Sequence, residues 1–113
     1  MLEESRYFFE YGKYRCSTFQ EVSTYMLYKG AYYMRTYQIG LLVSLFLWPN
    51  HIEMRKHFIG LLSSEALNKK GNYLEVGVGH GYYFSSSIKH TSFDSYLGVD
   101  INEDSVHMAN AVI

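Results

Sequence analysis

The chain holds one cysteine, Cys16, among its 113 residues, so no disulfide can form within it. Such a chain suits a reducing compartment, and the cytoplasm is the expected location. Neither sign of charge prevails: 10 lysines and arginines face 11 acids, for a net charge of −1. That balance offers no broad attraction to nucleic acid or to an anionic membrane, and neither is expected as a partner. The start, Met1-Leu2-Glu3-Glu4, is acidic and lacks the basic and apolar regions of a signal peptide. The most apolar run, Gln38 to Trp48, falls short of the roughly twenty residues that a membrane span needs. His51, His57, His80, His90 and His107 are scattered without metal-ligand spacing, so no metal is expected. There is no repeat, low-complexity tract or linker. A chain of this length is one domain at most, or part of one.

Aromatic residues are plentiful, 18% of the chain, with twelve tyrosines against one tryptophan. The first seventy residues read as helices. Tyr7, Phe8, Tyr11 and Tyr14 share a side of the first, Leu2 to Tyr14. Ser17 with Gln20 fits a capping box opening a second helix, to about Arg35. Val22, Tyr25, Met26 and Lys29 mark one face of it, with Tyr28, Tyr32 and Tyr33 around them. Such tyrosines pack a core or an interface, or serve as a lid over a small-molecule pocket. Leu41, Leu42, Leu45 and Phe46 then mark a buried helix that Pro49 stops. Asn50 and Glu53 open the next, which turns Phe58, Ile59, Leu62 and Ala66 inward and closes at Lys69, Lys70 and Gly71.

Chemistry concentrates in Asn72 to Asp100. Tyr73-Leu74-Glu75-Val76 reads as a buried strand, and Gly77-Val78-Gly79-His80-Gly81 follows with glycines on alternate positions. Glycine serves where the backbone takes positive φ or where a ligand comes close to it. Tyr82 to His90 can form a helix, with Ser85-Ser86-Ser87 read as a solvated or cofactor-adjacent surface. Tyr96 to Val99 forms a second strand ending in Asp100. Asn102 caps a last helix that faces Val106, Ala109 and Ile113 inward. Strand, glycine turn, helix and acid-ended strand are the parts of a Rossmann-type nucleotide site. A dinucleotide loop reads G-x-G-x-x-G; here the spacing is G-x-G-x-G, and Glu75 precedes it by two residues. A carboxylate there would repel a pyrophosphate but favour an ammonium or sulfonium, which disfavours NAD.

Glu75-Val76-Gly77-Val78-Gly79-His80-Gly81, followed by Gly98-Val99-Asp100-Ile101, resembles the first two motifs of class I S-adenosylmethionine-dependent methyltransferases. The resemblance covers residues 73–109. It implies that Gly77, Val78, Gly79, His80 and Gly81 pass under the methionine part of S-adenosylmethionine, with His80 either loop filler or a contact to the cofactor carboxylate. It implies that Glu75 orients the loop and helps hold the ammonium, that Asp100 accepts from both ribose hydroxyls, and that Ile101 lies against the adenine.

The expected fold is α/β, Rossmann-like, truncated after the second strand and preceded by helices. Residues 1–50 would form a lid or cap, and 51–113 the first part of the cofactor domain. In this family the acceptor walls lie after the fourth strand, so the chain by itself is expected to be inactive, with a central strand left as an open edge. It is therefore expected to form a homo-oligomer through that edge or the helices. The methyl acceptor is expected to be a small molecule, and its catalytic residues are not identifiable. The alternative is a non-catalytic helical interaction module with a relic loop.

Overall fold

The computed structural model describes residues 2–64 and 70–113. In chain order the elements are α1 (Leu2–Tyr11), α2 (Phe19–Leu47), α3 (Pro49–Leu62), β1 (Asn72–Val76), α4 (Tyr82–His90), β2 (Ser95–Val99) and α5 (Glu103–Val112). The protein is thus mixed helix and sheet, the strands forming a two-stranded parallel sheet. No helix among the described residues is long and apolar enough to cross a membrane. The chain divides into two compact units, Met1–Tyr33 and Met34–Ile113.

In the first unit, Tyr7 packs on Tyr11 with ring centroids 4.6 Å apart, and Arg15 lies over the Tyr7 ring. The capping box sits one residue beyond Ser17 and Gln20. Glu21 Nα–H donates to Thr18 Oγ1, while Glu21 Oε2 accepts from the Thr18 and Ser17 amides. Those hydrogen bonds hold the Glu21 carboxyl below its ordinary range. Val22 is exposed; the side chains of Met26, Tyr28 and Lys29 lie outside the described residues.

The break expected after Arg35 is absent, and α2 continues to Leu47. Its one non-helical residue is Gly30, at φ 73° and ψ 171°. Thr36 and Tyr37 carry nothing that stops a helix, whereas glycine takes positive φ without steric cost. The stretch from Gln38 is only half buried: Leu45 and Ser44 are inside, while Ile39, Val43, Phe46 and Leu47 are exposed. Pro49, not Asn50, opens α3, its missing N–H falling where helices have no acceptor. α3 ends at Leu62, so Lys70 and Gly71 do not close it; Ala66 and Lys69 lie outside the described residues. Gly71 instead starts the sheet, its amide donating to Asp94 Oδ2 and its carbonyl accepting from Asp94 N–H.

The strands pair in register from Asn72 with Ser95 to Val76 with Val99. Side chains alternate across a strand, so the sheet has two unlike faces. Tyr73, Glu75 and Tyr96 lie on the half-buried face, where Val78, Phe84 and Ala109 form a core packed by Tyr73, Ile88 and Tyr96. Leu74, Val76, Leu97 and Val99 lie exposed on the other. Ser85, Ser86 and Ser87 are buried rather than solvated. Their small side chains let α4 pack closely, and their hydroxyls donate to the Val112, Tyr82 and Tyr83 carbonyls. Asn102 caps α5 by accepting from the Ser105 amide. Ala109 faces inward, but Ile113, past the end of α5, is exposed.

Candidate functional site

β1 and β2 run parallel, so Glu75 and the glycine loop reach the same end of the sheet as Asp100 and Ile101. The three glycines all take positive φ, at 80°, 51° and 75° for Gly77, Gly79 and Gly81. Their surroundings differ. A Cβ on Gly77 would meet nothing within 4 Å. On Gly79 it would lie 3.0 Å from Gln38 Oε1, and on Gly81 2.5 Å from the Cα of Ala109. The first glycine therefore borders open space, the second lies under a side chain, and the third admits α5.

Both carboxylate oxygens of Asp100 accept backbone hydrogen bonds. Oδ2 takes the Gly79 N–H and Oδ1 the Asn102 N–H, each at 2.9 Å. One side chain thus joins the glycine loop to the turn that starts α5, and each oxygen keeps a second lone pair. Ile101 beside it is 89% exposed. Val78 turns its side chain into the core, and its backbone is engaged too, the N–H donating to Val99 O and the carbonyl accepting from Gly81 N–H.

Sequence reasoning missed Gln38. Its amide is buried, donates to Ser105 Oγ at 3.0 Å and lies against Gly79. Nothing local marks it, because its partners lie in α5 and in the loop. Tyr73 was missed as well, although strand alternation puts it on the face of Glu75. Its hydroxyl donates to Glu75 Oε2 at 2.7 Å. Burial, foremost, pushes that phenol up to about 12, so it stays a donor at any ordinary pH.

Burial also raises the Glu75 carboxyl, with the Tyr73 hydrogen bond opposing. The folded chain therefore holds this proton more tightly than at the ordinary value of 4.5. The associated stability is complete below 4.5 and is lost as pH rises through the folded value. Glu75→Gln, neutral at every pH and still an acceptor for Tyr73, should match wild type in acid. At neutral pH it should melt higher. Thermal melts across that pH range check this; a lower melting temperature at neutral pH would refute it.

His80 is buried, and burial lowers its pKa, keeping the ring neutral. Its Nδ1 accepts the Tyr82 N–H at 3.2 Å, which places the ring proton on Nε2. His80 thus takes one of the free amides of the first turn of α4, whose N-cap, Gly81, has no side chain to do so. Among the described residues no group of three metal-ligating side chains comes together. Comparison with family models, curated proteins and solved structures finds no match to this chain.

Proposed function

We propose that the chain binds S-adenosylmethionine at the shared end of β1 and β2, as the cofactor-binding part of a Rossmann-like methyltransferase acting on a small molecule. One observation carries the reading: Gly77, which borders open space, follows Glu75 by two residues and donates to the carbonyl of Val99, the residue before Asp100. A ligand can approach the backbone there, at the end of the sheet that carries both acids. The residues fit the group. The free lone pairs of Asp100 can accept ribose hydroxyls, exposed Ile101 can cover an adenine, and Glu75 can face the ammonium. When bound, the cofactor supplies an electrophilic methyl group. The chain's own part is to hold and orient it, with Tyr73 fixing the Glu75 carboxylate and Asp100 fixing the loop.

Calorimetry tests this. S-adenosylmethionine or S-adenosylhomocysteine should bind more tightly than NAD, and tighter NAD binding would overturn the reading. A cation beside Glu75 favours its ionised form, so affinity should fall as pH falls through the folded pKa of this carboxyl. Glu75→Gln should bind more weakly at neutral pH and lose that dependence. A variant with the wild-type pH profile would show that the ammonium sits elsewhere.

A further inference from the structure

Arg55, on α3, has no acid partner among the described residues. Its guanidinium carbon lies 4.6 Å from the centre of the Phe46 ring, and Nη1 donates to Tyr82 Oη at 3.4 Å. No carboxylate among the described residues pairs with it. The nearest acid on its own helix, Glu53, is bound to Lys56 at 2.9 Å. Its Nε is buried and has no hydrogen-bond partner. A guanidinium has five N–H donors, and this one spends a single long bond on a phenol. A desolvated donor without an acceptor is unfavourable, and more so on a charged group.

The surroundings are aromatic. Phe46 meets Tyr82 edge-on at 5.8 Å, Tyr82 meets Tyr83 at 5.6 Å, and Phe58 closes on Tyr83 at 4.8 Å. Burial, and then the neighbouring Tyr82 phenol, raise the Tyr83 hydroxyl, while Arg55 opposes them. The Arg55 cation and the Tyr82 phenol thus meet at the start of α4, with the Tyr83 ring against Tyr82, where the helix dipole also favours an anion. His80 of the glycine loop lies 6.2 Å from the Tyr83 ring.

We propose that Arg55, with the hydroxyls of Tyr82 and Tyr83, binds the carboxylate of a small molecule whose apolar body rests on these rings. A planar carboxylate matches the guanidinium fork, which a lysine could not provide. This site goes beyond the cofactor reading and does not depend on it. The carboxylate could come from a separate ligand or from the amino-acid end of the cofactor, and the experiment separates the two.

Benzoate is titrated into the full chain while the Arg55 Nε–H and the Tyr82 and Tyr83 resonances are followed by NMR, with benzamide as the neutral control. Saturable shifts in the millimolar range are expected with benzoate and not with benzamide. Arg55→Gln should weaken binding roughly tenfold or more, and Arg55→Lys should not restore it. Tyr82→Phe, which keeps the ring packing, should weaken it less and guards against a misfolded arginine variant. Repeating the titration with saturating S-adenosylhomocysteine identifies the source. Displacement of benzoate assigns Arg55 to the cofactor carboxylate, and undisturbed binding assigns it to a separate ligand. Unmoved Arg55 resonances, or equal binding of benzamide, would overturn the site even if the cofactor binds. Benzoate binding without any cofactor binding would leave this site standing and remove the methyltransferase reading.

Discussion

Gly81→Ala should destabilise the chain by about 3 kcal/mol or more, the largest effect expected of any single methyl group here. Two costs add. A non-glycine residue at φ 75° pays about 1–2 kcal/mol for left-handed backbone. The new methyl would also stand 2.5 Å from the Cα of Ala109 and 2.9 Å from its Cβ and from Val112 Cγ2. A backbone atom cannot rotate aside as a side chain can, so α5 must move off the loop, and overpacking of this kind costs about 1–3 kcal/mol. The melting temperature should fall on the order of 10 °C. Gly77→Ala is the control, with a similar φ of 80° but open space around the added carbon. It should pay only the backbone strain, about 1–2 kcal/mol, while impairing cofactor binding more than its stability loss suggests. Equal melting temperatures for the two variants would refute the packing role of Gly81.

Asp100→Ala should be the next most damaging change, and without any ligand present. From sequence, a carboxylate at a strand end lies outside the core, and its loss should hardly alter the ligand-free melting temperature. The structure reverses that expectation. Alanine would strip the acceptor from two backbone amides at once, in the loop and at the cap of α5. Hydrogen bonds to charged groups contribute about 1.5–3 kcal/mol each when well buried. Asp100 is only half buried, so about 2 kcal/mol for the pair is expected. Asn keeps one carbonyl oxygen and turns an NH2 toward the other amide, so Asp100→Asn should fall between wild type and alanine. Urea denaturation of the three proteins checks the order. If Asp100→Ala unfolds like wild type but no longer binds cofactor, the acid serves the ligand alone.

Local signals were legible and long-range ones were not. β1, β2 and α4 stood out because apolar runs, glycines and an acid change character abruptly at their ends. The Asn102 cap was visible for the same reason: its partner, Ser105, is three residues away. The place of the break in α2, at Gly30, was not, since Arg35 to Gln38 can sit in a helix or between two. Nor was the burial of Ser85, Ser86 and Ser87, because three hydroxyls look polar until each finds a carbonyl. In the candidate site, Glu75, Gly77 and Asp100 announce themselves by type and spacing. Gln38 and Arg55 owe their interest to what surrounds them in space, and no pattern in α2 or α3 marks either one.

The Val99 carbonyl has a consequence in time. It accepts from both the Gly77 and Val78 amides, at 2.7 and 3.3 Å, so the first residues of the loop hang on the last carbonyl of the sheet. Releasing them means opening the end of β2. In deuterated solvent, those two amide protons should therefore exchange at the pace of the strands, by the same opening that frees the sheet. The Gly79 proton, held by a half-buried side chain, should be lost sooner. The loop is then rigid where it leaves β1 and yielding two residues later, and a ligand that orders it would lengthen the lifetime of Gly79 first.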